Sequence, residues 1–147
     1  MASELAARNG GWIGLGALAA IFLLGLGLRV GEAWDGRAPV YDAQAYAAIA
    51  RNLDEGNGFT VGAGATQPSS NYSPGLPLFV AGVYNATGGV HERLARLVLA
   101  VVGSLSVLFA YAIGRRLVKK GRYSAQKSPS VWPALAGALA VAVYPAL

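Results

Sequence analysis

Apolar residues fall along this chain in three long blocks, separated by two polar segments of different character. Residues 11–28, 97–114 and 131–147 each carry no charged side chain. A helix needs roughly 20 predominantly apolar residues to cross a hydrocarbon core about 30 Å thick, with a usual range of about 17–25. Each block is therefore expected to span a membrane: residues 11–28, residues 93–114 with a charged first turn, and residues 131–147, where the given sequence stops in mid-helix. The first block is too long for the ~7–15-residue core of a signal peptide. Nor does a small-x-small cleavage site follow it, so it reads as an uncleaved helix.

The first polar segment, residues 29–93, contains two weaker patterns. Tyr46, Ile49, Ala50 and Leu53 recur at i, i+3, i+4 and i+7, which predicts an amphipathic helix over 43–55. Asp42 stands where its N-cap is expected, and Gly56-Asn57-Gly58 is a stop signal. A loop rich in Gly, Ser, Asn and Thr follows. Pro74-Gly75-Leu76-Pro77 then opens a second short helix over 76–85, closed by Thr87-Gly88-Gly89. Neither helix is long enough to cross, so both are expected at the membrane interface.

Charge orients the chain. Between residues 29 and 75 stand three basic and five acidic side chains, whereas residues 115–130 hold six basic ones and no acid. A basic loop between apolar helices marks the cytoplasmic side. The expected topology is N-terminus inside, residues 29–93 outside, and residues 115–130 inside. A crossing by 76–85 would put the basic loop outside, which is a second reason to leave that helix at the interface. Trp12, Trp34 and Trp132 fall near predicted helix ends, where aromatic belts lie.

Composition agrees: 54% of the 147 residues are hydrophobic and 13% charged, with mean hydropathy +0.44, against about 25% charged in soluble domains. The net charge of +5 does not point to nucleic acid, because the bases are concentrated in the inter-helix loop. With no cysteine, disulfides and thiolate metal sites are excluded. P-loop, HExxH and GxSxG motifs are missing, and Gly62-Ala63-Gly64 is too short for a nucleotide loop. His91, the one histidine, has only Glu92 beside it and reads as a turn residue rather than a metal ligand. Asn71-Tyr72-Ser73 and Asn85-Ala86-Thr87 match the N-glycosylation pattern, which is common by chance.

A large polar loop with two membrane-lying helices suggests a site at the outer surface. Asp42, beside Tyr41, carries a carboxylate that could accept a proton from an acceptor hydroxyl or amine. The alternative is a plain helix cap. Arg51 and Arg96 could each hold a phosphate through a two-pronged guanidinium contact. Their alternative is an interfacial arginine with its head in water.

The run Tyr41-Asp42-Ala43-Gln44-Ala45-Tyr46, followed by Ile49-Ala50-Arg51-Asn52-Leu53 and Gly56-Asn57-Gly58-Phe59-Thr60, resembles the first outer loop of polytopic GT-C-fold glycosyltransferases. Tyr72-Ser73-Pro74-Gly75-Leu76-Pro77-Leu78-Phe79 resembles their second juxtamembrane helix. Arg93-Leu94 and Gly114-Arg115-Arg116-Leu117 resemble the ends of their next transmembrane helix. The protein O-mannosyltransferase and aminoarabinose-transferase relatives, family 39, are the nearest group. The likeness covers nearly the whole chain in order; each motif is loose by itself.

The resemblance implies an all-α integral membrane protein: the N-terminal part of a GT-C-type helix bundle, with 1–147 belonging to one membrane domain. It implies an inverting transferase that takes a sugar from a polyprenyl-phosphate donor on the outer face of a bacterial plasma membrane. Asp42 matches the aspartate that acts as base or orients the acceptor; beside it, Tyr46, Arg51, Tyr72 and Arg96 are this chain's candidates for substrate binding. The family often has a second acidic residue after this aspartate. Here Ala43 stands instead, which leaves a divalent-metal role open, and no other cofactor is implied. The expected partners are the lipid-linked donor and membrane lipids, with the acceptor undefined. As a fragment, 1–147 is expected to be inactive alone. The other readings are a small three-helix membrane scaffold and the oligosaccharyltransferase branch of the same fold.

Overall fold

The computed structural model describes residues 2–37, 41–62, 68–119 and 131–144, and all its regular elements are helices. They are α1 (Ala2–Trp34), α2 (Asp42–Asp54), α3 (Gly75–Thr87), α4 (Glu92–Lys119) and α5 (Trp132–Val143). The expected cytoplasmic loop over 115–130 lies outside the described residues from 120 onward.

The helices are longer than the uncharged blocks where charge alone set the limits. α1 continues past Arg29 and Glu32 and stops only near Gly36, which sits at φ 65°. α4 runs through Gly114, Arg115 and Arg116 to Lys119. A charge ends a hydropathy window but not a helix; ending a helix takes a backbone that leaves helical dihedrals. α5 differs in the opposite sense. Its 12 residues make about 18 Å of helix, and Tyr144 is already extended at φ −64°, ψ 123°. Tyr144 precedes Pro145 in the sequence, and the residue before a proline is pushed out of the α region. Thus two helices, over Trp12–Trp34 and Glu92–Val118, are long and apolar enough to cross a membrane. The third expected span is present as a shorter apolar helix.

The contacts divide the chain into two units, 1–33 with 99–147, and 34–98. In the first, α1, α4 and α5 pack around Val107, Ala138 and Ala142, against which Leu18, Ile21, Phe22, Tyr111 and Val141 are packed. Small residues set the spacing. A Cβ built on Gly14 would stand 3.7 Å from Val131 Cγ2, and one on Gly25 only 3.1 Å from the Ala142 Cβ. Both pairs share the same offset, so α1 and α5 run parallel in register. A Cβ on Gly114 would stand 2.8 Å from the Ala134 Cα, so only glycine allows the end of α4 to meet the start of α5 this closely. α4 is thus antiparallel to both, an up-down-up arrangement with close glycine contacts of the kind favoured between membrane helices. Outside this seam the helices present large apolar side chains, among them Leu23, Leu24, Phe109 and Ile113.

Candidate functional site

The second unit, 34–98, carries every residue marked for chemistry by the sequence. Its centre is α2 packed on α3. Ala45, Ile49 and Ala50 of α2, and Pro77, Val80 and Tyr84 of α3, are buried. The i, i+3, i+4, i+7 pattern thus found its apolar partner in α3.

Asp42 is not the N-cap. Tyr41 occupies that position at φ 51°, ψ −129°, without a side-chain capping bond. The Tyr41 carbonyl accepts from the Gln44 and Ala45 amides at 3.0 and 3.4 Å. The sharp turn at Tyr41 starts the helix one residue earlier than the capping rule suggests. Asp42 therefore stands in the first turn, where its carboxylate faces the positive end of the helix dipole. It is exposed, and among the described residues nothing pairs with it. A carboxylate free of structural duties in this way is available for proton transfer.

Tyr46 follows Asp42 by one turn and shares its face. The Tyr46 ring meets Tyr72 edge-on, with centroids 5.6 Å apart and planes at 76°. The structure thus joins two of the candidate binding residues, from separate parts of the sequence, beside the aspartate's helix face.

Arg51 goes elsewhere. Nine residues along an α-helix turn it about 180° from Asp42 and about 13 Å along the axis. Its guanidinium is paired with the Glu92 carboxylate in the first turn of α4. That hydrogen bond raises the Arg51 pKa above its ordinary value, despite partial burial. Arg96 donates from Nη1 to the Arg37 carbonyl at 2.7 Å. Arg51 thus leaves the face that carries Asp42, and each arginine already has a partner. Arg93 lies over the Trp34 ring, 5.3 Å from its centroid. This cation–π contact brings the end of α1 to the start of α4, as expected of interfacial aromatic and basic anchors.

Two residues were not singled out by sequence reasoning. Asn52 is buried and donates from Nδ2 to the Thr60 carbonyl (2.8 Å), Thr60 Oγ1 (3.0 Å) and the Gly62 carbonyl (3.0 Å). It ties the loop after α2 back onto the helix; a polar residue on a buried helix face was the available signal. Tyr84, 2% exposed, sits in the field of Glu92, Arg51, Arg96 and Asp54. Burial, more than these charges, pushes its phenol above its ordinary pKa of 10.0. The folded state therefore holds this proton more tightly than the unfolded one. The associated stability is complete below about pH 10 and is lost as pH rises through the folded pKa. Tyrosinate absorbance on alkaline titration should show one late-ionising group that Tyr84→Phe deletes. An unchanged late phase in that variant would place it on another tyrosine.

His91 is exposed, and among the described residues no group of acidic or histidine side chains could hold a metal ion. Comparison of the chain with protein-family models, with curated proteins and with solved structures found no match.

Proposed function

We propose that this chain is part of an integral, multi-pass membrane glycosyltransferase. In this reading the full protein moves a sugar from a polyprenyl-phosphate donor to an acceptor on the outer face. The observation that carries it is Asp42: an exposed carboxylate, unpaired among the described residues, in the first turn of α2, one turn before the Tyr46–Tyr72 pair. This stands in a segment between two helices of membrane-crossing length. Further support comes from the resemblance of the Tyr41–Asp42 run and the Pro74-opened helix to GT-C outer loops. In this reading Asp42 takes the acceptor proton or orients the acceptor. Tyr46 and Tyr72 form an aromatic wall against which a sugar ring can pack.

The exposed side of α3 presents Leu76, Leu78 and Phe79, and no charged residue occurs from 72 to 90. Four residues separate α3 from α4, a reach of at most about 17 Å. A helix so tethered to a membrane-length helix, with an uncharged apolar face, fits the lipid interface.

Arg51 and Arg96 enter this reading more weakly, because Glu92 and the Arg37 carbonyl already occupy them. That closure favours a second reading, in which the chain is a membrane scaffold and the arginines only hold its helices. The two separate in one assay. The full-length protein in liposomes, given a polyprenyl-phosphate sugar, should release polyprenyl phosphate in the presence of acceptor. No turnover with any such donor, from folded protein, would leave the scaffold.

A further inference from the structure

Arg29 is the one strongly basic side chain inside the apolar length of α1, and it is 8% exposed. It does not reach toward water. Nη1 donates to the Gly25 carbonyl, one turn back on its own helix, and to the Ala142 carbonyl, both at 3.1 Å. Nη2 donates to the Val141 carbonyl at 3.0 Å. Among the described residues no carboxylate pairs with it. Nε is buried without a partner and faces α4, where a Cβ on Gly103 would stand 3.6 Å away.

Val141 and Ala142 belong to the last turn of α5, and their carbonyls stand beyond the last described intrahelical bond, from the Tyr144 amide to the Ala140 carbonyl. Unsatisfied carbonyls are costly in an apolar layer, and a helix C-terminus carries partial negative charge. Level with this end, α1 stands at Gly25, and its helix continues to Trp34, about 13 Å further at 1.5 Å per residue. α5 therefore ends well short of the end of α1.

We infer that Arg29 is a buried capping cation, which closes the carbonyl end that Tyr144 and Pro145 leave open on α5 inside the apolar layer. The guanidinium supplies both things the end lacks, donors and positive charge. The carbonyl dipoles in turn compensate a charge with which no carboxylate among the described residues pairs. Gly25 and Gly103 are the clearances that let the group lie flat between the helices: a Cβ on Gly25 would stand 3.2 Å from Nη1. The cap does not depend on the transferase reading; only its depth rests on the membrane reading.

The test is hydrogen exchange on the whole chain in lipid nanodiscs. Arg29→Met keeps the stem and removes donors and charge. It should speed exchange of the α5 C-terminal amides about 10- to 100-fold, as expected for losing hydrogen bonds to a charged group. Arg29→Lys, with a point charge and fewer donors, should fall between. Unchanged exchange in both would overturn the cap. If Arg29→Met does not fold, Gly25→Ala decides. Its methyl would press apart the arginine and Ala142 while leaving the charge, so the same amides should exchange faster; Gly27→Ala, which meets open space, should not change them. Unaltered exchange in Gly25→Ala would also overturn the cap. A spin label on the exposed Leu23 separates the two premises, since accessibility to a water-soluble relaxant there would sink the membrane depth but not the cap.

Discussion

Asp42→Asn in the full-length protein is expected to lower sugar transfer by about 10²–10⁴-fold, the usual contribution of a positioned acid–base group, with the membrane fold intact. The position of the carboxylate makes this a clean experiment. Tyr41, not Asp42, occupies the N-cap, and no hydrogen bond or ion pair among the described residues depends on Asp42. Asparagine preserves shape and polarity and removes only the charge and the proton-accepting capacity. The helix loses at most an exposed charge–dipole interaction, typically about 0.3–1 kcal/mol. Asp42→Ala should therefore match Asp42→Asn in both respects: the same loss of transfer and no larger loss of thermal stability. The capping reading predicts otherwise, because asparagine caps as well as aspartate and alanine does not. Transfer from a polyprenyl-phosphate sugar and thermal unfolding, measured on the same preparations, decide between them. Near-normal transfer in Asp42→Asn would move the catalytic base to another residue.

The helices were legible wherever burial imposed a period. The α2 stripe of Tyr46, Ile49, Ala50 and Leu53 predicted a helix over 43–55, and α2 spans Asp42–Asp54. The uncharged blocks located α1, α4 and α5, but not their ends. Arg29 shows why: hydropathy treats it as a boundary, yet the carbonyls of α5, distant in sequence, make it an interior residue. Partners of this kind cannot be read from a window. The same applies to the site. Tyr46 and Tyr72 meet in space although they stand in separate parts of the sequence, and no local pattern announces that contact. Arg51 had the right chemistry for phosphate, but helical geometry turns it half a revolution from Asp42, and Glu92 takes it. The Tyr41 turn, with positive φ on a non-glycine residue, has no sequence signal, and it moved Asp42 from cap to first turn.

The second large effect concerns sidedness, where the reaction of a thiol is close to all-or-none. In the first unit, α1 and α5 run parallel and α4 runs against them, with Gly14 beside Val131 and Gly114 beside Ala134. The start of α1, the end of α4 and the start of α5 thus share one end of the bundle. The segment over 115–130 connects α4 to α5 in the sequence, and its six bases and no acids carry the expectation that it lies in the cytoplasm. The antiparallel packing of α4 against α1 and α5 is what alternate crossings require, and the charge pattern alone supplies the expected sidedness. The chain contains no cysteine, so single thiols can be introduced at Ser69 and Ser124 without a background. In intact cells a membrane-impermeant thiol reagent should label Ser69→Cys and spare Ser124→Cys until the membrane is opened. Cysteines placed at Ser73 and Gly89, which flank α3, should both react from outside, because α3 has 13 residues where a crossing needs at least about 17. Labelling of Ser124→Cys with protection of Ser69→Cys would invert the orientation and place Asp42 in the cytoplasm. Opposite reactivity at Ser73→Cys and Gly89→Cys would mean that α3 crosses, and the basic loop and α2 would then lie on the same side.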